Sequence, residues 1–154
     1  PPPQPMPMPQ PVAPATAPQD STALTKWIEI IRLQAYENPY IDKDAEKDLL
    51  REAIRCGLTV DDARRQLLQI CRNNQYALAS YLEDLATKTL ERCIPEKKGI
   101  DQECFNNTVN TIQQAAYGHL KEEECRQKLK SLIVDNQLPV RQGFLKGGQW
   151  FREI

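Results

Sequence analysis

Residues 41–71 read IDKDAEKDLLREAIRCGLTVDDARRQLLQIC, and this stretch decides the fold. Asp42 is a good helix N-cap, and Ala45, Leu49, Leu50, Ala53 and Ile54 follow it at the spacing of one apolar stripe. Gly57 is suited to end that helix, because glycine adopts the left-handed conformation that closes a last turn. Thr59 to Asp62 then resembles a capping box with Asp in the usual Glu position. It opens a helix carrying Ala63, Leu67, Leu68, Ile70 and Cys71. The stretch therefore predicts two amphipathic helices joined by a Gly-Leu turn.

Working outward, the same periodicity continues on either side. Upstream, Leu24, Trp27, Ile28 and Ile31 form a stripe with Tyr36 as a further candidate, capped at Asp20 or Ser21 and stopped by Asn38-Pro39. Downstream, the polar pause Arg72-Asn73-Asn74-Gln75 precedes a fourth helix with Leu78, Tyr81, Leu82 and Leu85, which is expected to end by Pro95. Gly99-Ile100-Asp101 starts another helix with Phe105, Val109 or Thr108, Ile112 and Ala116, closed by Gly118. Leu120 leads into a last one with Cys125, Leu129, Leu132 and Ile133. Laid over each other, Ile41-Asp42 matches Ile100-Asp101, and Ala63, Leu67 and Ile70 match Cys125, Leu129 and Leu132. The second copy carries about three extra residues between these points. The segments 40–71 and 99–133 are thus candidate repeats.

The first eighteen residues are of another kind, holding nine of the chain's 12 prolines. With no charge before Asp20 and only Met6, Met8 and Val12 as large apolar groups, such a segment cannot offset its ordering entropy by burial. It is expected to be solvated and mostly polyproline II. Beginning with three prolines and no Met, the chain reads as a piece of a longer one. Beyond Asn136, Pro139, Gly143, Gly147 and Gly148 break any long helix and concentrate Phe144, Leu145, Trp150, Phe151 and Ile154 among them. That tail reads either as a closing segment packed on the bundle or as a docking tail with aromatic anchors. The expected division is a Pro-rich tether over 1–20, a helical domain over 21–136 and an aromatic, Gly-containing segment over 137–154. The predicted fold is all-α, a compact bundle of about six helices behind an extended arm.

Charge and composition exclude several classes. The net charge of −1, with acids and bases mixed along the same helices, argues against nucleic acid and against a polybasic membrane patch. Arg51, Arg55, Arg64, Arg65 and Arg72 form a basic strip near Tyr76 and Tyr81, but Glu46, Asp48, Glu52, Asp61 and Asp62 interleave with it. No stretch approaches the roughly 20 apolar residues of a membrane span. No secretory leader pattern is visible. Cys56, Cys71, Cys93, Cys104 and Cys125 are odd in number, form no CxxC pair and sit in apolar helical patterns. They are expected to be free thiols, most of them buried, in a reducing, cytoplasmic setting. The lone His119 lies near no Cys pair, so zinc is not expected.

The run from Ile41-Asp42-Lys43-Asp44-Ala45-Glu46 through Gly57-Leu58-Thr59-Val60-Asp61-Asp62-Ala63 resembles bacterial accessory modules of the tellurite-resistance-B-like kind. The resemblance covers about fifty residues over the two copies and rests on helix punctuation, the Ile-Asp start and the Gly-Leu turn. It implies an all-helical domain accompanying other domains, with an acidic metal site in the family. That site is not carried over, for want of a matching constellation of acids. The segment 98–103, Lys98-Gly99-Ile100-Asp101-Gln102-Glu103, is similar to a degenerate EF-hand start. Gly99 abuts Ile100 directly, however, and Glu96-Lys97-Lys98 puts cations where calcium-ligating acids should gather. Asn38-Pro39-Tyr40-Ile41-Asp42 lacks the glycine and the upstream acids as well.

Catalytic chemistry finds little footing. Cys125 and His119 are six residues apart, but position 125 aligns with Ala63 on a packed face, which makes its thiol a core group rather than a nucleophile. The acids Asp42, Asp44, Glu46 and Asp48, like Glu122, Glu123 and Glu124, lie in first turns that favour carboxylates, and read as caps and solvated faces. Gly147-Gly148 lacks the rest of a phosphate loop. The expected function is a non-enzymatic protein–protein interaction module of adaptor or assembly type, without catalytic residues, metal or cofactor. A partner's helix or extended segment would dock in a groove between the repeats, with Trp27, Tyr81, Phe144, Trp150 and Phe151 as candidate contacts. Two alternatives stand beside it: a metal-binding or enzymatic helical domain of bacterial stress-response type, and a polyproline ligand presented by the arm.

Overall fold

The computed structural model describes residues 1–9, 18–141 and 149–154, with the side chains of residues 18–21 excepted. Residues 1–9 carry no regular secondary structure and are exposed throughout. Among the described residues six long helices make an all-α bundle, in the order α1 (Pro18–Glu37), α2 (Lys43–Arg55), α3 (Val60–Asn74), α4 (Ala79–Lys97), α5 (Gln102–Ala115) and α6 (Glu122–Asp135). A short α7 (Gln149–Arg152) lies against them, and two two-residue strands, β1 (Tyr40–Ile41) and β2 (Ala77–Leu78), pair in parallel. No helix among the described residues is long and apolar enough to cross a membrane.

Local rules explain most boundaries. The Asp42 carboxylate accepts the Ala45 N–H at 2.8 Å, and Thr59 Oγ1 accepts that of Asp62 at 3.1 Å, so each cap satisfies an otherwise orphaned donor. After α2, Gly57 takes φ +93°, donates to Ile54 O, and lets Leu58 donate back to Ala53 O, closing the last turn. α1 begins at Pro18, upstream of the expected cap at Asp20 or Ser21, because a first turn has no use for the N–H that proline lacks. Tyr36 is 88 % exposed, and Ala35 occupies the buried position instead.

The α5–α6 pair shares local features with α2–α3. Asp101 caps α5 through Cys104 N–H at 2.8 Å, as Asp42 caps α2. Gln75 after α3 and Gln137 after α6 are left-handed, with φ 58° and 53°. Each pair is closed at its base by parallel backbone pairing: Tyr40 and Ile41 with Ala77 and Leu78 in the first, Ile100 with Val140 in the second. Gly99, at φ +139°, is required there, since a Cβ would lie 2.9 Å from the Arg141 nitrogen.

Two apolar clusters result. Trp27, Ile31, Ile41, Leu49, Leu67 and Leu78 centre the first, and Leu90, Phe105, Ile112, Leu129 and Ile133 the second, with Tyr81 packed against both. Four expectations are corrected here. Leu78 lies in a strand rather than in the fourth helix, because its backbone pairs with β1. α4 runs past Pro95 to Lys97, since proline's fixed φ is itself helical, and it closes at left-handed Lys98. Cys93 and Cys104 are disulfide-bonded, tying α4 to α5, while Cys56, Cys71 and Cys125 are free. That bond removes two of the five thiols on which a reducing setting was inferred. Glu46 is only 8 % exposed rather than solvated, its carboxylate accepting the Ser80 hydroxyl at 2.6 Å.

Candidate functional site

α2, α3 and α4 enclose an open groove of about 730 Å³. Its floor is apolar: Leu50 and Ile54 from α2, Leu68 from α3, Leu78 at the end of β2 and Tyr81 from α4. The reason lies in the width of the α2 stripe. Leu49 and Ala53 face the first cluster and are buried, whereas Leu50 and Ile54 form the next row, about 100° round the helix. Nothing among the described residues covers that row, and Ile54 is left 49 % exposed. Leu50, Leu68 and Tyr81 are half-buried.

The rim is charged. Lys43, Lys47 and Arg51 stand on α2 and Arg64 on α3, against Glu46 and Asp84. Glu46 is occupied by Ser80, as described, and Asp84 reaches Lys88 at 3.8 Å. Lys43 bridges to Glu83 at 2.7 Å, which raises its pKa above the ordinary lysine value, chiefly through that hydrogen bond. Arg51 pairs with Asp48 at 3.2 Å. One turn beyond Leu68, the Arg72 guanidinium lies 4.9 Å from the centre of the Tyr81 ring.

A second groove, of about 830 Å³, lies where a docking site was expected, between the two helix pairs. Leu82, Ala86, Ile112 and Leu132 help to floor it; Asp44, Glu83 and Asp135 help to line its edge. None of the aromatic candidates among the described residues lines it. Tyr81 lines the neighbouring groove instead. Trp27 is withdrawn as a contact residue: it is wholly buried, and its indole N–H donates to Leu49 O at 2.7 Å. Trp150 and Phe151 stack edge-on against buried Phe105, with ring centres 5.4 and 6.4 Å away, and Lys130 donates to Ile154 O at 2.9 Å. They are half-buried members of the second cluster. Phe144 lies outside the described residues.

The sequence reading assigned Leu50, Ile54 and Leu68 to the core and so missed the groove. Two signals point to it. The α2 stripe is two rows wide, more than one neighbour covers, and Arg64, Leu68 and Arg72 succeed one another at four-residue intervals along a single face of α3.

The chemistry-bearing side chains are otherwise engaged. Burial pushes the Cys71 thiol up to about 12, with the Glu46 charge adding to it. Burial also raises that of Cys125. His119 Nε2 donates to the Gln75 carbonyl at 2.8 Å, tying the α5–α6 turn to the end of α3. Among the described residues, no group of three or more His, Cys, Asp or Glu side chains could hold a metal ion. No protein-family model, curated protein or solved structure matches the chain.

Proposed function

We propose that the chain is a helical protein–protein interaction module, of adaptor or assembly type, whose docking surface is the groove between α2, α3 and α4. One observation carries the reading: a row of aliphatic side chains, ending in half-exposed Ile54, lies open beside Tyr81. Apolar side chains held open in a concave surface, with an aromatic at one wall, are what a partner's anchor residues fill. The non-enzymatic part of the reading is supported by Cys71 and Cys125, whose buried thiols resist ionisation, and by His119, engaged at a turn. The two helix pairs, with matching Asp caps on their leading helices and matching basal pairings, are read as copies of one unit. The second copy's extra residues fall at one in the leading helix, 14 residues against 13, and the others in the turn after it.

A displayed library of helix-forming peptides about 20 residues long, long enough to hold a helix once docked, tests this. The selected peptides are expected to shift the backbone amide resonances of Leu50, Ile54, Leu68 and Tyr81. Ile54→Asp should abolish binding while leaving the melting temperature unchanged, since half of that side chain is already in water. A footprint confined to the inter-pair groove or to α7 would overturn the assignment.

A further inference from the structure

We propose that the groove takes an amphipathic helix whose apolar anchors are flanked by acidic side chains; the proposal rests on the docking reading above. Several charged helix faces on this molecule are neutralised within one turn: Glu29 pairs with Arg32, Glu52 with Arg55, Asp62 with Arg65 and Glu122 with Arg126. At the groove two cations are left unanswered. Lys47 and Arg64 form no ion pair among the described residues, and Arg72 has only the face of Tyr81. Of the two carboxylates lining the groove, Glu46 is committed to Ser80 and Asp84 faces Lys88. The cations on the rim therefore outnumber the acids able to answer them, and the unanswered ones stand on opposite walls of an aliphatic floor.

The shape selects a helix. The basic wall of α2 from Lys43 to Ile54 rises about 16 Å, three turns, enough for anchors at i, i+3 or i+4 and i+7. A peptide added as a strand would need a sheet edge, and the strands here are two residues long. The floor also favours a protein over a nucleic acid. Among the described residues Tyr81 is the one aromatic lining it, whereas single-stranded nucleic acid binds on successive stacking platforms.

The test uses the full chain and three labelled helical peptides with identical Leu anchors, flanked by Glu, by Gln or by Lys, beside a single-stranded oligothymidylate. Fluorescence anisotropy gives the affinities and amide shifts locate each footprint. The Glu-flanked peptide should bind in the groove about tenfold more tightly than the Lys-flanked one, as two or three modest ion pairs would give. The gap should narrow between about 50 and about 300 mM salt. Lys47→Glu/Arg64→Glu, at exposed positions, should reverse the order with the circular dichroism spectrum unchanged. Equal affinities for all three peptides, mapped to the groove, would overturn the acidic partner and leave the docking reading standing. Binding by none, or only elsewhere, would overturn both. Oligonucleotide binding that outranks every peptide and is lost in Lys47→Glu/Arg64→Glu would replace the peptide with nucleic acid.

Discussion

Trp27 shows how one side chain can serve two ends. Its rings fill the first cluster, and its N–H, which would otherwise be buried unpaired, donates to the Leu49 carbonyl of α2. Trp27→Ala should cost about 3–5 kcal/mol in urea unfolding. Trp27→Phe keeps most of the packing and removes only the bond to Leu49 O, a carbonyl still paired within α2, and should cost about 0.5–1.5 kcal/mol for that bond. Equal losses for the two variants would mean that the hydrogen bond adds nothing. The cysteines divide just as sharply. At neutral pH iodoacetamide should alkylate Cys56 and spare Cys71 and Cys125, which are buried and hold their protons. Mass spectrometry reads the order, and labelling of Cys71 as fast as Cys56 would contradict it.

At the scale of elements, α5 is anchored twice at its start. Asp101 caps it while meeting Lys97 at 3.1 Å, and Cys104 joins it covalently to α4. Burial alone would raise the Asp101 carboxyl; the Cys104 N–H and the Lys97 ammonium outweigh that and hold it below 3.8. A carboxylate depressed in the folded state stabilises above its unfolded pKa and loses that contribution as the pH falls through the folded value. Asp101→Asn should therefore flatten the decline in stability below about pH 4, measured by urea midpoints across the acid range. Reduction of Cys93–Cys104, which spans a separation of 11 residues, should cost about 2–3 kcal/mol in the same assay.

These elements also show what the sequence could disclose. Asp42, Gly57, Thr59 and Asp101 were legible because a cap acts on residues three or four away. The stripes of α5 and α6 were legible because Phe105, Ile112, Leu129 and Ile133 repeat with the helix. Glu46 was not, since its partner Ser80 is 34 residues distant. The disulfide was hidden because Cys93 and Cys104 sit on different helices at positions suited equally to plain packing. Ile54 looked like core because only the placing of α4 decides which apolar row is left open.

At the scale of the whole molecule, stability is not spread evenly. The disulfide and the α7 aromatics both reinforce the second cluster, whereas the first relies on packing and on Trp27. Hydrogen exchange after reduction should thus quicken in α5 and the last turns of α4 while α1 and α2 keep their protection. A uniform quickening would show one cooperative unit. The basal strand pair has a mechanical consequence. β1 and β2 run parallel, with α1 leading into one end of the pair and α4 leaving from the other. A pull applied between α1 and α4 loads their backbone bonds in shear, all at once rather than one by one. Tension along the chain would pass across this clamp and leave α2 and α3, with the groove they wall, slack until it gives.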